Sequence, residues 1–192
     1  MITEEIVNRC RNGDKEAFRE LFMSIEKKAL ATAYHLSGNR GIAEDILQET
    51  YIKCFTEIQY LRNPQFFNTW FFRVLIRTGW EMSKKHSRLL ATDTVAEAEN
   101  KQTDSFLQGY EERYLVRNAI HNLSQNLKTV VILYYYNDMS IEEISQVLNC
   151  LKATVKSRLF YARTVLKKQL NEHFRMENCC REVSEKGWKT NG

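Results

Sequence analysis

Between Asp138 and Leu170 the apolar positions adopt helical spacing twice, with a break between the two runs. Ile141, Ile144 and Leu148 fall on one face of a short helix, and Val155, Leu159, Ala162, Leu166 and Leu170 on one face of a longer one. Ser140 followed by Glu143 forms a capping box, each residue reaching the other's free backbone N–H at the helix start. Asn149-Cys150 interrupts the pattern, and Asn tolerates the left-handed conformation that ends helices. The longer helix turns Lys156, Ser157, Phe160, Tyr161 and Thr164 away from its buried side, with Lys152, Arg158, Arg163, Lys167 and Lys168 flanking them. A short helix, a tight turn and a basic longer helix make the layout of a helix-turn-helix, whose second helix enters the DNA major groove. A plain antiparallel helix pair with a solvated basic face is the competing reading.

The same spacing recurs upstream. Asp14 caps a helix with Phe18, Leu21, Phe22, Ile25, Ala29 and Ala33 on its apolar stripe, and Ser37-Gly38-Asn39 stops it. The next helix, 42–58, is predicted to bury Ala43, Ile46, Leu47, Cys54, Phe55 and Ile58. Asp45, Gln48, Glu49 and Ile52 share its opposite, exposed face. After a loop holding Pro64, a third helix capped by Asn68 is apolar nearly all round (Trp70, Phe71, Val74, Leu75, Ile76), which marks it as largely buried. Arg73, Arg77, Lys84 and Arg88 nonetheless repeat along one side.

From Leu89 to Glu112 the chain turns polar and mostly acidic with little periodicity, which reads as a flexible linker; a poorly packed helix is the alternative. Helical spacing resumes with Leu115, Val116, Ala119, Ile120 and Leu123, then Leu127, Val130, Val131 and Tyr134, before Asn137-Asp138 turns into the helix-turn-helix. The predicted fold is all-α: two small helical domains joined by a flexible acidic linker, the second a four-helix helix-turn-helix domain. The expected boundaries are 1–88, a linker at 89–112, 113–171, and a polar, disordered tail at 172–192.

Composition narrows the function classes. Among 192 residues there are one proline and seven glycines, which favours helix over turn-rich sheet. A net charge of +4 is too modest to argue nucleic-acid binding from the total, so clustering must carry that argument. No apolar run reaches the roughly 20 residues of a membrane span, and the N-terminus lacks a signal-peptide core, so a cytoplasmic protein is expected. The five cysteines (Cys10, Cys54, Cys150, Cys179, Cys180) lack zinc-ligand spacing and read as free thiols. With no Gly-rich phosphate loop, nucleophile–base pair or metal cluster in the sequence, no enzymatic activity and no cofactor are expected.

The wording of three segments adds a resemblance. Thr154-Val155-Lys156-Ser157-Arg158-Leu159 with Ala162-Arg163 resembles the promoter-reading helix-turn-helix of bacterial extracytoplasmic-function (ECF) sigma factors, of the sigma-70 family. Ala43-Glu44-Asp45-Ile46-Leu47-Gln48-Glu49-Thr50-Tyr51 resembles the segment with which sigma factors grip the coiled coil of the RNA polymerase β′ subunit. Phe66 to Arg73 resembles the segment that melts the promoter −10 element. Departures from the family pattern are Asn149, Leu151 and Ala153 at the turn, Arg77 where Asn is usual, and Tyr161 where Arg is common.

The resemblance implies an ECF sigma factor that binds core polymerase (β′ and β subunits) and directs promoter-specific initiation. Asp45, Gln48, Glu49 and Ile52 would hold core polymerase. Arg62, Asn63, Asn68, Arg73, Arg77 and Lys84 would meet −10 DNA, with the loop 61–68 as the pocket for a flipped base. Lys156, Ser157, Phe160 and Tyr161 would read −35 bases, while Arg158, Arg163 and Lys167 hold phosphates. The acidic linker would thread a basic polymerase channel, and an anti-sigma factor would hold the protein inactive. Two other classes stay open on sequence: a helix-turn-helix regulator acting without polymerase, and a sigma-like decoy that binds an anti-sigma factor.

Overall fold

The computed structural model describes the backbone of residues 3–92 and 109–187, and the side chains of 3–85 and 114–171. Among the described residues every regular element is helical. The first body holds α1 (Glu4–Arg11), α2 (Lys15–Ser37), α3 (Arg40–Glu57) and α4 (Phe67–Thr92). The second holds α5 (Gly109–His121), α6 (Gln125–Val131), α7 (Ile141–Val147) and α8 (Lys152–Gly187).

Local chemistry sets the helix ends. Asp14 accepts hydrogen bonds from the Glu16 and Ala17 amides, both at 3.0 Å, and starts α2. The Ala17 amide and the Arg9 guanidinium hold its carboxyl below the usual carboxylate range. Gly38, in the left-handed region at φ 73°, closes α2, and Asn39 caps α3 by accepting from the Ile42 amide. Around Ser140 the capping box is complete: its hydroxyl accepts from the Glu143 amide at 3.2 Å, and Glu143 accepts from the Ser140 amide at 2.8 Å. Asn149 adopts φ 48°, the left-handed conformation that turns α7 into α8.

Four features depart from the sequence expectations. α1 was not foreseen; it buries Ile6, Val7 and Cys10. Asn68 lies inside the first turn of α4, and Asn63 instead accepts from the Gln65 amide to open a short 3-10 turn, Pro64–Phe66. Phe55 is 53% exposed, since Thr50 and Cys54 complete the inward stripe of α3, with Ile58 just beyond its end, and leave Phe55 one position off it. Beyond Asn171, α8 stays helical to Gly187 rather than disordered, across a stretch that contains neither Gly nor Pro before that residue. The predicted linker falls mostly on 93–108, outside the described residues.

The two bodies meet along a seam. One hydrophobic core runs from Val7 and Leu21 through Phe71 and Leu75 to Leu133, Ile144 and Val155, and a smaller one joins Ile120, Leu123, Val131 and Ala162. α4 packs on α7, and α2 on α5, α6 and the wide turn Ile132–Tyr136. Asn137, buried just after that turn, pairs its side chain with the Thr32 hydroxyl at 3.0–3.1 Å, and its carbonyl accepts from Lys28 Nζ at 2.8 Å. Trp80 Nε1 donates to the Thr129 hydroxyl at 3.2 Å. The sequence pattern sets the two bodies apart and gives no sign of this seam.

Gly38 sits at its edge, where an added Cβ would lie 2.3 Å from His121 Nε2; at Gly13, φ 84°, a Cβ would meet nothing within 4 Å. Gly13→Ala should therefore cost only the left-handed penalty of about 1–2 kcal/mol. Gly38→Ala should cost clearly more and also raise cleavage by a protease between the bodies. Equal losses in the denaturation midpoint would show that Gly38 does not wedge the seam.

Candidate nucleic-acid interface

The helix-turn-helix holds α8 rigidly. Ile144 and Val147 from α7 pack against Val155 and Leu159, all nearly fully buried. Lys152 Nζ bridges back to Glu142 at 2.7 Å, and the Cys150 amide donates to the Ser145 carbonyl at 3.0 Å. With its inner face fixed, α8 turns Lys156, Ser157, Phe160, Tyr161 and Thr164 into solvent as one stripe, as expected. Phe160 and Tyr161 form an edge-to-face pair with centroids 5.8 Å apart. Arg158 is half-buried beside the stripe. Arg163, exposed two turns after Lys156, has its side chain engaged: its Nε donates to the Tyr135 hydroxyl at 2.9 Å, and its guanidinium stands 5.8–5.9 Å from the Tyr134 and Tyr135 ring centroids. There it helps line a groove of about 590 Å³ with Val116, Ile120, Leu166 and Leu170.

On the first body, Asp45, Gln48 and Ile52 are exposed on α3 and Glu49 is half-buried beside them. Lys53 engages Glu49 at 3.6 Å while also reaching Glu81 and the Thr78 hydroxyl, so the unengaged acceptors of this face are Asp45 and Gln48. Ile52 and Phe55, one turn apart and 55% and 53% exposed, add an apolar strip to it. Phe55 was missed because it was read as core; it rests on Phe18 with ring centroids 4.8 Å apart.

Arg62, Asn63, Asn68, Arg73, Arg77 and Lys84 are all exposed. Arg73, Arg77 and Lys84 share one face of α4, while Arg62 and Asn63 lie in the loop before it. Phe71 and Phe72 are buried and Trp70 is half-buried. The rings open to solvent around the loop are Tyr60 and Phe66, 75% and 52% exposed, and neither was singled out from sequence. Arg73 is not free, because its guanidinium donates to the Gln146 carbonyl at the end of α7 at 2.6 Å. The seam thus occupies one of the cations of the α4 face.

Comparison with known proteins agrees with this arrangement. Residues 21–89 match the family model for Sigma-70 region 2, and residues 113–166 that for Sigma-70, region 4. The chain is 30% identical over 181 residues to the ECF RNA polymerase sigma-E factor of Haemophilus influenzae, covering 87% of this chain and 94% of that protein. It is 31% identical over 186 residues to the RNA polymerase sigma-H factor of Pseudomonas aeruginosa, covering 88% of this chain and 96% of that one. The chain belongs to the ECF sigma factors of the sigma-70 family. A solved structure of CnrH in complex with the cytosolic domain of CnrY shares the fold at TM-score 0.69 and 17% identity, over 90% of this chain and 99% of that one.

As an ECF sigma factor the protein binds core RNA polymerase and promoter DNA and directs promoter-specific initiation. Among the described residues no helix is long and apolar enough to cross a membrane, and no group of His, Cys, Asp and Glu is placed to hold a metal ion. Cys10, Cys54 and Cys150 are free thiols; burial pushes Cys10 up to about 11 and Cys54 further, so neither is a ready nucleophile.

Two histidines of the sigma factor lie on the seam. His35 on α2 rests its ring on Tyr136 at 4.1 Å, and burial followed by the charge of Arg117 lowers its pKa. His121 on α5 is lowered by burial and then by Lys128, against a hydrogen bond to the Ser37 backbone. Both values lie below the ordinary 6.5 in the closed form. Support for closure is therefore complete above 6.5 and is lost as the pH falls through that value toward the closed-form values, because the opened form takes up the protons first. The radius of gyration measured by X-ray scattering should rise between about pH 7.5 and about pH 5.5. His35→Phe should flatten that response, and an unchanged radius in the unmodified protein would discard it.

Proposed function

We propose that the two bodies divide initiation between them as the sequence boundaries suggest: 1–88 fastens to core polymerase and opens the −10 element, 89–112 links, and 113–171 reads the −35 element as duplex. The observation that carries this is the outward stripe Lys156, Ser157, Phe160 and Tyr161 on a helix locked by the capping box and the Asn149 turn. Lys156 and Ser157 offer donors to base edges, and half-buried Arg158 is placed to steady a phosphate. Arg163 reaches a phosphate only by leaving Tyr135.

Core binding falls to Asp45 and Gln48 with the apolar strip Ile52 and Phe55, where charge sets register and apolar burial adds affinity. On the melting face, Arg62, Asn63, Asn68, Arg77 and Lys84 track the backbone of the separated strand, with Arg73 joining once the seam opens. Phe66 and Tyr60 are the rings available to stack on an extruded base. The protein performs no chemistry of its own and works in the cytoplasm. An anti-sigma factor would act by holding the seam closed.

Asp45→Ala with Gln48→Ala should weaken capture of purified core polymerase while leaving thermal unfolding unchanged; full capture would remove these residues from the core-binding face. Lys156→Ala should reduce −35 selectivity by about 1–3 kcal/mol in run-off transcription with core enzyme. Unaltered promoter preference would mean that the stripe on α8 is not the reader.

A further inference from the structure

Phe160 and Tyr161 are the large apolar side chains that α8 leaves in solvent among its described residues, 66% and 60% exposed. Neither covers the core, since Leu159 and Ala162 on either side of them do that. Their edge-to-face contact at an interplanar angle of 74° holds the two rings together as one apolar edge. A phenyl ring neither donates nor accepts a conventional hydrogen bond. Pressed against the major-groove edge of a G·C pair, it would strip water from the guanine acceptors and the cytosine amino group without replacing it. The major-groove edge offers one apolar feature, the C5-methyl of thymine.

The cations nearby sharpen the choice. Guanine is read by Arg or Lys reaching O6 and N7. Lys152 is bridged to Glu142 at 2.7 Å, and Arg163 donates to Tyr135. Lys156 stands on the reading stripe itself, one turn before Phe160. Four residues of helix advance about 6 Å, or roughly two base-pair steps at about 3.4 Å each.

We propose that Phe160 and Tyr161 select thymine through its methyl group at neighbouring base pairs of the −35 element, about two steps from a guanine read by Lys156. Tyr161 adds a hydroxyl that can bond the adjacent base edge or phosphate, so the pair is an apolar reader with one polar end. This rests on the assignment of α8 as the duplex reader made under Proposed function.

The test uses the full chain assembled with core RNA polymerase and a promoter library randomised across the −35 element. The library is synthesised once with thymine and once with uracil, which pairs identically and lacks only the methyl. With thymine, adjacent thymine positions should be enriched. With uracil their enrichment should fall about fourfold per methyl contacted, while the position facing Lys156 keeps its preference. Phe160→Ala combined with Tyr161→Ala, changes at exposed sites that leave the core intact, should erase the difference between the two libraries. Equal enrichment with uracil, guanine or cytosine at those positions, or a methyl effect that survives the double change would each overturn the proposal. Absence of any −35 preference in the unmodified holoenzyme would overturn the assignment of α8 as reader as well, which separates the two failures.

Discussion

The buried side chain of Asn137 governs how the two bodies relate. It closes the wide turn Ile132–Tyr136 and hydrogen-bonds Thr32 on α2, while its carbonyl accepts from Lys28. A unit of four helices is too small to bury much core alone. Here Leu133, Ile144 and Val147 complete theirs against the first body, in a cluster that also contains Phe71 and Leu75. Fastening that apolar patch with hydrogen bonds rather than with more hydrocarbon has a consequence. Each polar group can return to water on opening, so separation costs far less than splitting an all-apolar core of the same area.

That balance matters because the seam and the α4 face compete for the same atoms. Arg73 cannot donate to the Gln146 carbonyl and follow a nucleic-acid strand at once. The recognition stripe on α8, by contrast, points away from the seam and stays exposed when the bodies are closed. Closure therefore acts unequally on the two proposed DNA-facing surfaces. It takes a cation from the one given to the single strand and leaves the duplex-reading one open.

The helix-turn-helix was legible because everything that defines it is local. Ser140 and Glu143, Asn149, and the spacing of Val155, Leu159 and Ala162 lie within a few turns of one another. The exposed group Asp45, Gln48 and Ile52 followed from helical period alone. Phe55 was misread because the inward stripe of α3 includes the polar Thr50, whose hydroxyl is satisfied by the Ile46 carbonyl at 2.6 Å and so can be buried. The stripe then continues through Cys54 instead. Asn68 lost the capping role because the short turn at Pro64 starts the helical path earlier, with Asn63 as its cap. The seam had no sequence signature, since two of its acceptors, the carbonyls of Asn137 and Gln146, are backbone atoms available at any residue.

The contrast between Arg163 and Tyr161 bears on what the proposed reading helix can meet. Arg163 would be the natural guanine reader by residue type, yet Tyr135 and the adjoining ring of Tyr134 hold it on the groove side of α8. A guanidinium seated between a hydroxyl and aromatic faces must give up both to reach a base. Of the two positions just before it, Ala162 is fully buried and Tyr161 faces solvent. The outward stripe therefore offers one ammonium, on Lys156, three hydroxyls, on Ser157, Tyr161 and Thr164, and two rings, and rings favour the base edge that carries a methyl.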